Sequence, residues 1–227
     1  MIGFEALSRW RRDDGKAMPP TEFIPVAEES GLILPLGRWA FDAAMRTLAD
    51  WDRRAGRILP IRMGVNVSPI QIARDDMAAV VTEALATHGL SGDRLMIEIT
   101  ESAIIADPER ANRVLEALKL SDAKIAMDDF GTGYSSLAFL QKLPIDVLKI
   151  DRSFVTGMLT DRDSLAIVRA VLSLAESLGM STTAEGIETV ELAETLTALG
   201  CASGQGFYFS EPLPADEAYA YWERRSA

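Results

Sequence analysis

The 227-residue chain is 48% hydrophobic and 25% charged, carries a net charge of −11 and has one cysteine. This balance and length fit one barrel-sized domain spanning 1–227. They exclude a membrane-spanning helix, because no stretch approaches roughly 18 uninterrupted apolar residues, and they argue against nucleic-acid binding, which depends on a basic surface. Cys201 cannot form an internal disulfide, and no basic leader with an apolar core opens the sequence, so the expected setting is a reducing cytoplasm.

Apolar or alternating runs near residues 2–8, 61–67, 94–99, 123–128, 146–150, 180–185 and 203–209 predict strands. Helical patterns near 35–54, 76–87, 109–119, 161–178, 189–199 and 214–224 lie between them. Strands alternating with helices imply an α/β fold with a parallel sheet and helices outside. The runs at 63–67 and 145–150 read as apolar on both faces, as buried parallel strands are. Seven strand–helix units are found where a closed barrel has eight.

In the first run, the two-residue period places Glu5, Leu7 and Arg9 on one side, either as a structural ion pair or as part of an active face. Residues 19–31 read as a loop entering a short helix; Phe23, Ile24 and Pro25 form a packing lid, and Glu28 is a surface charge or a supporting partner. Asn66 sits among valines, where a polar amide needs partners or ties a turn. Glu98 is flanked by isoleucines, and a buried glutamate is rare unless paired or metal-bound. Glu101, one step beyond that strand, caps the next segment or braces a neighbouring loop. The run at 123–128 ends in Asp128 and Asp129, followed by Gly131, Thr132 and Gly133, with Ser135 and Ser136 offering a cap for a new helix. Adjacent carboxylates at a strand end repel unless something positive sits there, although an aspartate helix cap is the plainer alternative for this stretch alone. Lys149 and Asp151 share a face; a lysine in an apolar strand needs a carboxylate nearby. Glu185, Glu188 and Gln205 follow later strands, and His88, before Gly89, complements a helix end without a catalytic role.

These polar positions all fall at or near the carboxyl ends of predicted strands, which barrel geometry gathers into one mouth. An all-oxygen set suits a hard cation such as Mg²⁺ or Mn²⁺, and the excess of acids over bases points to two ions, the usual arrangement for phosphodiester hydrolysis.

Glu5-Ala6-Leu7 with Arg9, Phe23-Ile24-Pro25, Asn66-Val67-Ser68-Pro69, Glu98-Ile99-Thr100-Glu101, Asp128-Asp129-Phe130-Gly131, Leu148-Lys149-Ile150-Asp151, Ala184-Glu185-Gly186-Ile187-Glu188 and Gln205-Gly206-Phe207 occur in that order. This set resembles the EAL-domain phosphodiesterases of bacterial cyclic di-GMP signalling. The resemblance implies a TIM-like (β/α) barrel that hydrolyses cyclic di-GMP to linear pGpG with two Mg²⁺ or Mn²⁺ ions, Ca²⁺ being inhibitory. It implies Glu5, Asn66, Glu98 and Asp128 as ligands of one ion, and Asp128, Asp129 and Glu185 as ligands of the second. Lys149 matches the residue that contacts the nucleophilic water, and Glu185, Glu188 and Glu101 match further catalytic positions, Glu101 bracing the loop through Thr132. Arg9 matches a phosphate-binding arginine, and Leu7, Gln205, Phe207 and Asp151 match substrate-binding positions. Also implied are a homodimer and upstream sensory or GGDEF-type domains. The family's first strand, antiparallel to the others, has no counterpart before Met1, so the expectation is a barrel with an open edge beside Glu5, cut from a longer signalling protein. Ala202 and Phe207 stand where the family usually has aspartate and tyrosine. The alternative is an inactive module that only binds the nucleotide or a partner.

Overall fold

The strands form where apolar residues alternate with small or polar ones. In β4 (Arg62–Val67), Met63, Val65 and Val67 are buried against helices, while Gly64 and Asn66 belong to the other face. The same alternation runs through β5 (Leu95–Thr100), β6 (Lys124–Phe130) and β7 (Val147–Ile150). Leu95, Ile97, Ile125, Leu148 and Ile150 are sealed under the helices at 0% exposure. Each contributes about 1.5–3 kcal/mol of burial. The opposite face carries Glu98, Ala126 and Lys149. The inner face is mixed: Met96, Ala126 and Val147 line it beside Glu98 and Lys149, so the two-sided apolar reading of 63–67 and 145–150 is interrupted there by Asn66 and Lys149.

The computed structural model describes residues 1–131 and 140–226. After β1 (Gly3–Ala6), a hairpin of β2 (Trp10–Arg11) and β3 (Ala17–Met18) leads into α1 (Pro20–Ser30) and α2 (Ile33–Ala55). Beyond β4 come α3 (Pro69–Arg74) and α4 (Met77–His88); beyond β5, α5 (Glu101–Ala106) and α6 (Pro108–Lys119). β6 and β7 are followed by α7 (Arg152–Gly157) and α8 (Arg162–Leu178), then β8 (Ser181–Ala184), α9 (Val190–Ala198), β9 (Ser203–Gly204) and α10 (Ala215–Ser226). Among the described residues the main sheet has seven strands in the order β1-β4-β5-β6-β7-β8-β9, every pairing parallel. The sheet curls into a half-barrel whose two edges, β1 and β9, approach closely enough for Gln205 Nε2 to donate to Glu5 Oε2 at 3.0 Å. No antiparallel strand flanks β1 among the described residues. No helix among them is long and apolar enough to cross a membrane.

Three boundaries differ from the sequence expectation. β1 ends at Ala6, so Leu7 and Arg9 do not continue the alternation that begins at Glu5. The run at 203–209 is strand only over Ser203–Gly204, and residues beyond it turn. Residues 19–31, expected as a loop entering a short helix, are helix almost throughout: α1 starts at Pro20, where no amide donor is needed, and Pro25 lies inside it. Tertiary packing holds that helix, with Phe23 buried edge-on to Trp10 at 5.9 Å.

Candidate active site

In a regular strand Asp128 and Asp129 would point to opposite faces. Here β6 bulges. Met127 pairs with Leu148 and Phe130 with Ile150, so Asp128 and Asp129 together oppose the single residue Lys149. Asp129 takes φ = 55°, a left-handed conformation that aspartate tolerates better than most residues. The extra residue turns both carboxylates toward one mouth, as bulges beside active sites do. Asp128, Asp129 and Glu185 consequently offer carboxylate oxygens that all lie within 4.8 Å of one another.

Next to this trio lies Lys149, 3% exposed in a strand interior. Its ammonium pairs with Glu98, with Glu185 Oε1 at 2.6 Å and with Asp128 Oδ1 at 3.2 Å. Burial works to lower the Lys149 pKa, but Glu98, Glu5, Glu185 and Asp128 outweigh it and hold the group above its ordinary value. The acids bear the opposite cost. Burial pushes Glu98 up to about 8 and Glu185 up to about 7, even with Lys149 alongside. Asp129 is raised as well, by burial and then by its neighbours Asp128 and Asp151. One ammonium does not neutralise so many carboxylates.

Two amides fix the remaining acids. Asn66 Nδ2 donates to Glu5 Oε1 at 2.6 Å, and Gln205 Nε2 bridges Glu5 Oε2 at 3.0 Å and Glu185 Oε1 at 2.8 Å. Glu5 thus meets two amides, whereas Arg9 donates to the Ser8 carbonyl, so the Glu5–Arg9 ion pair considered from the sequence is not formed. Space for the Glu98 carboxylate exists because residue 64 is glycine: a Cβ there would stand 2.3 Å from Glu98 Oε1.

The other candidates surround this centre. Glu101 is buried, and Gly131 N reaches its Oε2 at 3.4 Å, a long contact to the start of the loop after Asp129; Thr132, its expected partner, falls outside the described residues. The Asp151 carboxylate caps α7 by accepting from Ser153 N at 2.9 Å. Glu188 forms an ion pair with Arg152 at 3.4 Å. Leu7, Arg9, Gln205 and Phe207 line one cleft of about 1560 Å³ together with Glu5, Glu98, Lys149, Glu185, Arg152 and Glu188. Leu7 and Phe207 are exposed in it.

Of the two roles open to Glu28, the structure shows the supporting one: it accepts the Ser68 hydroxyl at 2.5 Å, and Ser68 caps α3 directly after β4, so Glu28 steadies the turn beyond Asn66. Arg152 is a cleft residue to which the sequence reading gave no role. Its signal was its position: a cation in the first turn of a helix opposes the partial positive charge of the free amides there.

A family model described as the EAL domain matches residues 1–212. The chain is 46% identical over 222 residues to a Caulobacter vibrioides protein described as an uncharacterized signaling protein, covering 98% of this chain and 27% of that protein. It is 40% identical over 220 residues to the bifunctional diguanylate cyclase/cyclic di-GMP phosphodiesterase MucR of Pseudomonas aeruginosa, covering 97% of this chain and 32% of MucR. A solved structure titled as the PaMucR phosphodiesterase in complex with c-di-GMP superposes with a TM-score of 0.91 at 40% identity, covering 96% of this chain and 87% of the other. The chain thus spans about a third of the length of the curated relatives it matches.

Proposed function

The chain belongs to the EAL domain family, and from that premise we propose that it is a metal-dependent phosphodiesterase that opens cyclic di-GMP to linear pGpG. The observation that carries this reading is the bulge at Asp128–Asp129, which brings three carboxylates within 4.8 Å of one another beside a buried lysine and other acids. The donor set is all oxygen, without histidine or thiolate, and suits Mg²⁺ or Mn²⁺. Asp128, Asp129 and Glu185 would hold one ion; Glu5, Asn66, Glu98 and the shared Asp128 would hold the other. Such a pair, when bound, supplies hydroxide at neutral pH and neutralises charge on the leaving oxygen.

The chain's own residues do the rest. Lys149, paired with Asp128 and Glu185, stands beside both ligand sets and orients the attacking water. Gln205 ties Glu5 to Glu185 and so locks the relative position of the two ligand sets. Arg9, at the cleft wall, receives a phosphate, and Phe207 offers an aromatic face to a base. Glu101 positions the loop after Asp129. Water adds across one P–O bond and the ring opens, leaving a terminal phosphate and a free hydroxyl.

MucR carries a diguanylate cyclase activity in the same protein, which supports placing residues 1–227 as one EAL domain of a longer signalling protein. The reading includes a cytoplasmic setting, a homodimer and inhibition by Ca²⁺. The test is chromatographic detection of pGpG after incubation with cyclic di-GMP in Mg²⁺, Mn²⁺ or Ca²⁺. Product in Mg²⁺ or Mn²⁺ and none in Ca²⁺ is expected; binding without product in any metal would make the chain a nucleotide-binding module instead.

A further inference from the structure

Arg152 stands at the first position of α7, directly after the capping residue Asp151. The partial charge of the helix start disfavours a cation there. Its aliphatic stem lies across Gly186, where a Cβ would approach Arg152 Cγ to 2.5 Å and Cβ to 2.8 Å, and where φ is +66°. Both the space and the backbone conformation require glycine at 186, so the loop after β8 forms a bed for this one side chain. The guanidinium then meets Glu188 Oε1 at 3.4 Å, with the two side chains 65% and 44% exposed. An ion pair so exposed adds little stability, yet both partners face the substrate cleft.

We propose that Arg152, held by Glu188 over Gly186, reads the base of the substrate and selects guanine over adenine; this rests on the function proposed above. A guanidinium is a planar fork of donors that matches two neighbouring acceptors. Guanine presents O6 and N7 in that arrangement, whereas adenine puts an amino donor at the corresponding place. The carboxylate of Glu188 decides between a base and a phosphate: it repels an anion beside Arg152 but accepts the N–H groups at a guanine edge. Phe207, exposed in the same cleft, gives the base a face to stack on.

The experiment is calorimetric titration of the chain in Ca²⁺ with cyclic di-GMP and with its adenine counterpart, for wild type, Arg152→Ala and Arg152→Lys. Wild type is expected to prefer the guanine ligand. Arg152→Ala should lose about tenfold or more of that preference through weaker guanine binding. Arg152→Lys should lose it too, since an ammonium lacks the fork. An unchanged preference in either variant, or an equal loss of affinity for both ligands, would overturn base reading; the equal loss would mark a phosphate contact. Wild type that binds neither ligand would instead overturn the function on which the inference rests.

Discussion

Two buried charged clusters sit at opposite ends of the same strands. At the amino end, Arg94 precedes β5 and forms a bidentate pair with Asp52 at 3.0 and 3.1 Å, while its Nε donates to the Ile61 carbonyl at 2.8 Å. Asp52 also accepts from Leu59 N at 2.8 Å. One cation meets one anion, and the surrounding backbone completes both. At the carboxyl end, Lys149 faces Glu98, Asp128 and Glu185, with Glu5 close enough to act on it. The first cluster is balanced and fastens α2 to the start of the sheet. The second is short of positive charge, an arrangement that burial penalises unless cations complete it. Barrel enzymes divide stability and chemistry between these two ends in the same way.

The sharpest break of this comparison is Asp128→Asn. It removes the carboxylate shared by both proposed ligand sets, and pGpG formation should fall below detection while the circular dichroism spectrum stays native. Measurable turnover would show that Asp128 is not a ligand. Asp52→Ala, at the other end, leaves Arg94 buried without its anion. Stability in a urea titration should fall by about 3–5 kcal/mol, with turnover per folded molecule retained; equal loss of turnover would erase the distinction between the two ends. Glu101→Ala should lower turnover by roughly 10–100-fold, the usual cost of removing a group that supports metal ligands, and wild-type rates would remove its bracing role.

The smallest effect is on pH dependence. Glu98 and Glu185 are raised in the fold from 4.5 to about 8 and about 7. Their contribution to metal-free stability is therefore present below pH about 4.5 and lost as pH rises through 7 and 8. Mg²⁺ competes with those protons. Its increment to the thermal midpoint should be larger at pH 8 than at pH 6, and an increment that shrinks with pH would contradict the assignment.

Most of the fold could be read from the chain because period-two alternation and glycine-ended helices are local signals. The seven strands of the main sheet were located, though not the β2–β3 hairpin, and Glu98 among isoleucines and Lys149 in an apolar run announced buried charges that the structure pairs with each other. What escaped the sequence was non-local. The register shift that turns Asp128 and Asp129 to one side depends on how β6 meets β7. The length of α1 is another case: Phe23 is buried against the hairpin through Trp10, a contact that no local pattern shows. The ion pair of Glu188 with Arg152, distant in sequence, is likewise a contact that no local pattern announces.

On this reading the carboxyl-end cluster is a two-cation site. Calorimetric titration with Mn²⁺ at pH 8, repeated in two buffers of different ionisation enthalpy, tests it most directly. Two ions per chain with net proton release, both lost or weakened in Asp128→Asn, is the predicted result. Binding of no ion, or binding that Asp128→Asn leaves intact, would contradict the account.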